Sequence, residues 1–275
     1  MRGFIRTVLL ASLPLVLAAG GALASQPKPW EIYFQDAASP VMREITHLHD
    51  VLTIIITLIT LFVMGLLLWV MWRYRASRNP VPAKWSHNTP LEIAWTTIPV
   101  IILLIIAIPS FRLLYFMDRT TEADMTLKVT GHQWYWSYEY QDQKIGFDAL
   151  MIADKDLKPG QPRLLATDNH VVLPVGKNIR ILLVSDDVIH SWAMPAFGVK
   201  TDTVPGRTNE TWVKIERPGL YYGQCSELCG VNHAYMPITV EAVTPERFEA
   251  WLGEARKKFA LDGSTAGQEQ LALKK

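Results

Sequence analysis

Two long runs without a single charge set the frame for this chain. Val51 to Trp72 and Ile93 to Phe111 contain no Asp, Glu, Lys or Arg. A helix needs about 20 apolar residues to cross a bilayer. A buried helix of a soluble protein is the other home for such a run. Here two runs come as a pair joined by a short loop, which favours a membrane hairpin. Pro99 and Pro109 fall inside the second run. Membrane helices tolerate proline because neighbouring helices and waters satisfy the freed carbonyls. Composition agrees: 49% of the 275 residues are hydrophobic and 19% charged. That is apolar for a soluble protein and too polar for one wholly in a membrane.

The expected hairpin occupies residues 46–117, with spans at about 50–73 and 92–116 and a loop at 73–91. Arg73, Arg75, Arg78 and Lys84 lie in that loop, which places it on the cytoplasmic side. Trp69, Trp72 and Trp95 sit near the inner span ends, where interfacial aromatics belong. Residues 1–24 read as an export signal: Arg2 and Arg6, an apolar run from Val8 to Ala19, then Ala22-Leu23-Ala24 as a cleavage site. An uncleaved anchor is the alternative. Either way, residues 25–45 form an outer segment before the hairpin.

From 118 to 243 the pattern shortens. "MTLKVT" (125–130), "NIRILLV" (178–184), "TWVKIE" (211–216) and "ITVEAV" (238–243) alternate apolar and polar, with Gly and Pro between them. That predicts an all-β sandwich or barrel. Thr244 and Pro245 read as the cap and first position of a helix over 244–260. Its face is Phe248, Trp251, Leu252, Ala255 and Phe259, and a polar, disordered tail is expected over 261–275.

Both cysteines of the chain lie in "CSELCGVNHAYMP", residues 225–237. In an exported protein a disulfide is the first reading. It leaves His233 and Met236 in the same loop unexplained. Structural zinc seldom uses a thioether. Thiolate, imidazole and thioether together favour copper. One blue copper needs a single Cys; two thiolates can bridge a pair of metals, and each then wants an imidazole. His190, just past "NIRILLV", is the best second source if both loops share one end of the sandwich. The carbonyl of Glu227 can complete one coordination sphere.

"CSELCGVNHAYMP", "DDVIHSWAMPAFGVKTDTVPGR", "GHQWYWSYEY" and "IPSFRLLYFMD" resemble the subunit II family of cytochrome c oxidase, from about Ile45 to Val243. The resemblance implies a cupredoxin-like domain on the outer face, holding a dinuclear copper centre, CuA. It implies His190, Cys225, Cys229, His233 and Met236 as side-chain ligands and Glu227 as a carbonyl ligand. By the same resemblance, the Glu227 side chain reaches a magnesium shared with subunit I. It further implies electrons accepted from cytochrome c and passed to subunit I. By the same resemblance, subunit I alone would carry haem, reduce oxygen to water and pump protons. Subunit III is expected as a further partner, and nucleic acid is not. With the signal, the resemblance places the chain in a bacterial inner (plasma) membrane, copper domain outward. A copper carrier and a non-redox structural subunit are the competing classes. His190 and the aromatic strand argue against the first, and the full ligand set against the second.

Five aromatics fill residues 134–140, and alternation of Trp134, Trp136 and Tyr138 predicts a strand with core and rim faces. The resemblance gives Trp134 alone the role of electron entry. Residues 118–241 hold 16 Asp plus Glu against 12 Lys plus Arg. Such an excess is commonly a solvated surface, but it also suits a lysine-rich partner. By resemblance the docking acids are Glu139, Asp148, Asp168 and Asp186. Glu92 opens the second span. It is either a helix-capping carboxylate or, as the resemblance implies, the entrance of a proton pathway.

Overall fold

The computed structural model describes residues 25–118 and 122–261. The expected signal over 1–24 and the tail beyond 261 lie outside the described residues. Helix α1 spans Pro40–Arg73 and α2 spans Thr89–Asp118. Both are long and apolar enough to cross a membrane, and the most apolar stretch of each is unburied within the chain. Pro99 and Pro109 sit inside α2 without interrupting it.

Helix α1 starts ten residues ahead of the expected span, because Ser39 caps it. The Ser39 hydroxyl accepts from the Met42 N–H at 3.0 Å, and Pro40 takes the first turn. The same hydroxyl donates to the Phe197 carbonyl at 2.7 Å. Around it, Ala38 N–H donates to Ala196 O and Glu216 N–H donates to Ala38 O. Arg43 pairs with Glu216. Gly198, at φ +68°, lies against this corner, where a Cβ would stand 3.1 Å from the Met42 backbone. The second helix is tied as well: Trp212 Nε1 donates to Met117 O at 3.1 Å, and its ring meets Phe116 edge-on. The globular domain is therefore bolted to both spans.

That domain is a sandwich of two five-stranded sheets. Its strands are β1 (Met125–His132), β2 (Tyr135–Tyr140), β3 (Ile145–Ala149), β4 (Val171–Pro174), β5 (Ile179–Ser185), β6 (His190–Met194), β7 (Val199–Thr203), β8 (Asn209–Val213), β9 (Gly219–Cys225) and β10 (Pro237–Val243). One sheet runs β3-β2-β1-β5-β8 and the other β4-β10-β9-β6-β7. β1 pairs parallel with β5, and β4 parallel with β10; the remaining pairs are antiparallel. The alternation read from "MTLKVT" appears as strict alternation of burial along β1. Leu127, Val129, Trp136, Tyr138, Ile181 and Leu183 face Leu173, Trp192, Met194, Ile238 and Val240 in one core. Helix α3 (Pro245–Phe259) is capped by Thr244 and buries Phe248, Leu252, Ala255 and Phe259 against it.

Two elements differ from expectation. β8 covers 209–213 rather than 211–216, since Glu216 N–H leaves the sheet to bond Ala38. "GHQWYWSYEY" is a hairpin, not one strand: Gly131 and His132 end β1, Gln133 and Trp134 form the turn, and Tyr135 opens β2.

Candidate metal centre

Three connections converge at one end of the sandwich: the turn between β1 and β2, the loop entering β6, and the loop between β9 and β10. β6 and β9 are adjacent, with Trp192 opposite Cys225. That pairing brings His190 beside the cysteine loop. The register requires Gly223: a Cβ there would stand 2.0 Å from the Ala193 carbonyl oxygen and 2.6 Å from Met194 Sδ.

The two thiols are free and buried, with sulfurs 3.8 Å apart. That is far beyond the disulfide bond length of about 2.05 Å. His190 Nδ1 lies 4.0 Å from Cys225 Sγ, and His233 Nδ1 lies 3.5 Å from Cys229 Sγ. Met236 Sδ stands 3.5 Å from Cys229 Sγ, and the Glu227 carbonyl 3.3 Å from Cys225 Sγ. Ligand atoms of His190, Cys225 and Cys229 all fall within 4.8 Å of one another. Two metal–thiolate bonds of about 2.3 Å reach further than the gap between the sulfurs, so one ion can touch both. The residues therefore fit a metal, and the mix of thiolate, imidazole and thioether fits copper.

Electrostatics point the same way. Burial alone would push the Cys225 thiol up. Hydrogen bonds from His190, from the backbone at Ser191 and Glu227, and from His233 outweigh it and bring the thiol down to about 7. Cys229 is pushed up to about 12 by burial and by the neighbouring Cys225 sulfur. Each thiolate disfavours ionisation of the other, a repulsion that a cation held between them would offset.

Asp187, which no motif in the sequence marks, holds this arrangement. Its Oδ1 accepts from His190 Nε2 at 2.8 Å and from Val188 N–H at 2.6 Å. Its Oδ2 accepts from Gln133 N–H at 2.6 Å. When Nε2–H donates to Asp187, the neutral ring has Nδ1 free to face a metal, and one carboxylate ties the ligand to the β1–β2 turn. Burial works against both charges. These hydrogen bonds nevertheless lower the Asp187 carboxyl, and His190 is raised by Cys225 and Asp187. Removing such a partner typically costs 10- to 100-fold in metal affinity. Asp187→Ala is expected to weaken copper binding by about that factor in a chelator competition. Unchanged affinity would leave Asp187 as an ordinary surface acid.

Trp134 is half-buried in the hairpin turn, while Trp136 and Tyr138 fill the core. Trp134 Nε1 donates to the Cys229 carbonyl at 3.2 Å, and Gln133 Nε2 donates to the same oxygen at 2.8 Å. The indole thus rests on the cysteine loop itself. Gly230 permits this: at φ +120°, its hydrogen faces Trp134 where a Cβ would approach to 3.0 Å.

Three of the four expected docking acids share one flank. Glu139, Asp148 and Asp168 line a groove of about 320 Å³ beside the end of α3. Asp148 accepts from the Ser137 hydroxyl, and Asp168 from the Leu150 and Asn169 N–H groups. Asp186 lies 3.5 Å from His132 Nδ1, next to the hairpin. Glu92 sits far away, at the opposite end of α2. Its carboxylate accepts from Asn88 N–H, while Asn88 Oδ1 accepts from Leu91 N–H, a reciprocal cap.

A β-sandwich bolted to two membrane-length helices, with a donor set of copper type enclosed at its tip, defines a membrane-anchored redox protein. Two sequence families match it. "Cytochrome C oxidase subunit II, periplasmic domain" covers residues 125–243, and the family's transmembrane domain covers 27–113. A probable cytochrome c oxidase subunit 2 of Rickettsia bellii (strain RML369-C) is 50% identical over 259 residues, 94% of this chain and 96% of the relative. Cytochrome c oxidase subunit 2 of Oenothera berteroana is 49% identical over 238 residues, 84% of this chain and 92% of the relative. The crystal structure of the periplasmic domain of subunit II of cytochrome oxidase from Bradyrhizobium japonicum is 52% identical. It covers 52% of this chain and 100% of its own, with a TM-score of 0.49. This chain belongs to the cytochrome c oxidase subunit II family. It is a membrane subunit of the oxidase complex, with two spans and a periplasmic domain, and serves electron transfer from cytochrome c.

Proposed function

We propose that Cys225, Cys229, His190, His233, Met236 and the Glu227 carbonyl hold a dinuclear copper centre, CuA. The observation that carries this reading is the pairing of donors. Each sulfur has its own imidazole, and the sulfurs stand at bridging separation. A copper pair of this kind supplies a one-electron store whose charge is shared between both metals. The chain's own groups enclose it: Cys225, Cys229, Met236 and His190 are buried, leaving no open position for a substrate. The site therefore relays electrons, and bond chemistry on oxygen belongs to haem-bearing subunit I. The Glu227 side chain is exposed, which suits a magnesium held between Glu227 and subunit I. The inner membrane of a bacterium, with subunit III as a further neighbour, completes the setting. Metal analysis of the copper-loaded chain tests the core: two coppers with near-infrared absorption are expected, and one copper or zinc would overturn it.

Trp134 is the proposed entry point. Its contact with the Cys229 carbonyl supports a short route from the surface to the sulfur. Trp134→Phe is expected to slow electron entry in flash photolysis by about tenfold, or about 1.4 kcal/mol on the barrier, with the copper spectrum intact. Asp186→Asn with Asp168→Asn is the contrast: association slows and its salt dependence flattens, because both carboxylates are exposed and rim charges steer encounter. Equal rates in all these variants would remove both roles.

For Glu92 the reciprocal cap supports the structural reading, and its place at the cytoplasmic end of α2 supports a proton entrance. Both roles suit one carboxylate. Glu92→Gln is expected to slow oxygen consumption while copper reduction stays normal. The lost cap interaction costs about 0.3–1 kcal/mol. Normal oxygen consumption would leave the cap alone.

A further inference from the structure

At the outer ends of the spans, α1 and α2 enclose a cavity of about 280 Å³ that no part of the redox site uses. It is lined by Glu44, His47 and Leu48 from α1 and by Pro109, Arg112, Leu113 and Phe116 from α2. Its polar residues form a zwitterionic set: a guanidinium on one wall, a carboxylate and an imidazole on the other. Among the described residues, Arg112 and His47 make no hydrogen bond or ion pair, and Glu44 has no cation within ion-pair distance. Arg43, its nearest competitor, is taken by Glu216.

The level in the membrane is fixed by the sequence. Arg112 is the first charge after the uncharged run Ile93–Phe111. At about 1.5 Å per residue, nineteen residues span about 28 Å, close to the hydrocarbon thickness of about 30 Å. The Arg112 backbone therefore emerges where the outer headgroups begin. Glu44 stands seven residues, about 10 Å, beyond the outer end of the uncharged run of α1. The rest of the lining, Leu48, Pro109, Leu113 and Phe116, is apolar, and Pro109 lies on the membrane side of Arg112.

We propose that this cavity binds one phospholipid with an amine headgroup, of the phosphatidylethanolamine type, from the outer leaflet. The phosphate lies on Arg112, assisted by His47. The ammonium lies on Glu44, and an acyl chain runs down past Pro109 along the uncharged part of the spans. An arginine fork suits phosphate. A lone guanidinium would accept any anionic lipid; the facing carboxylate is what selects a headgroup carrying its own positive charge.

The test uses the delipidated, assembled oxidase in detergent. Dioleoyl phosphatidylethanolamine or dioleoyl phosphatidylglycerol is added back, and native mass spectrometry reads lipid retained on this subunit. Wild type is expected to keep a single phosphatidylethanolamine, at least several-fold over phosphatidylglycerol. Arg112→Gln is expected to lose both. Glu44→Gln, a surface change that leaves the Arg112 side intact, is expected to keep binding and lose the preference. Equal retention by wild type and Arg112→Gln would overturn the proposal, as would no preference in wild type. A photo-crosslinker at position 112 that captures another oxidase subunit and no lipid would also overturn it, showing that a protein helix fills the cavity.

Discussion

Cys225→Ser is expected to abolish the metal centre. Cys225 is the donor nearest His190 and the Glu227 carbonyl, and its sulfur stands 3.8 Å from Cys229. A serine hydroxyl is too weakly acidic to replace a bridging thiolate. His190 and the Glu227 carbonyl would then lose the sulfur they face, while His233 and Met236 would keep Cys229. Copper content should fall from two to one or none per chain. The near-infrared band should disappear, and reduction by cytochrome c should be lost with it. Secondary structure should survive, because a single sulfur-to-oxygen change in a core of this size costs only about 1 kcal/mol. Circular dichroism alongside metal analysis separates the two effects. An unchanged spectrum in Cys225→Ser would mean that the cysteines serve no metal at all.

Gly223→Ala is expected to do comparable damage without touching a ligand. The added methyl would sit 2.0 Å from the Ala193 carbonyl oxygen, a backbone atom that cannot swing aside. Relief requires β6 and β9 to separate, and those strands carry His190 and Cys225 respectively. Overpacking of this kind costs about 3 kcal/mol or more. Urea unfolding of the detergent-solubilised chain should register that loss. Copper affinity should fall further, because the first movement it forces is at the site. Stability within about 0.5 kcal/mol of wild type, the range of neutral surface changes, would show that the sheet gives way more easily than this packing implies.

Much of this was legible in the residues. The copper loop could be read because five of its donors lie within twelve positions, so spacing alone brings them together. His190 needed one added assumption, that two loops share an end of the sandwich, and β6 beside β9 supplies it. Asp187 escaped because, beside Asp186, it looks like half of an exposed acidic pair. Its role depends on a hydrogen bond to a histidine three residues on, and that spacing was the available clue. The hairpin at Trp134 escaped for a different reason. Its turn holds Gln133 and Trp134, with no Asn-Gly or Gly to announce it, so the aromatic alternation ran on as one strand. The early start of α1 was marked by Ser39 followed by Pro40, a cap and a first-turn proline. Arg43, Glu44, His47, His49 and Asp50 hid it, because hydropathy ends at a charge while a helix does not.

The bolted junction at Ser39 decides who does the travelling. Helix α1 runs unbroken for 34 residues, about 51 Å at 1.5 Å per residue, and its cap is the same hydroxyl that grips Phe197. The domain therefore stands on a mast and not on a leash. It does not swing out to collect an electron or bend down to deliver one. The donor must come to a landing place of fixed height, and onward transfer starts from a fixed geometry on every cycle. The variable part of each encounter is then the donor's own approach and orientation.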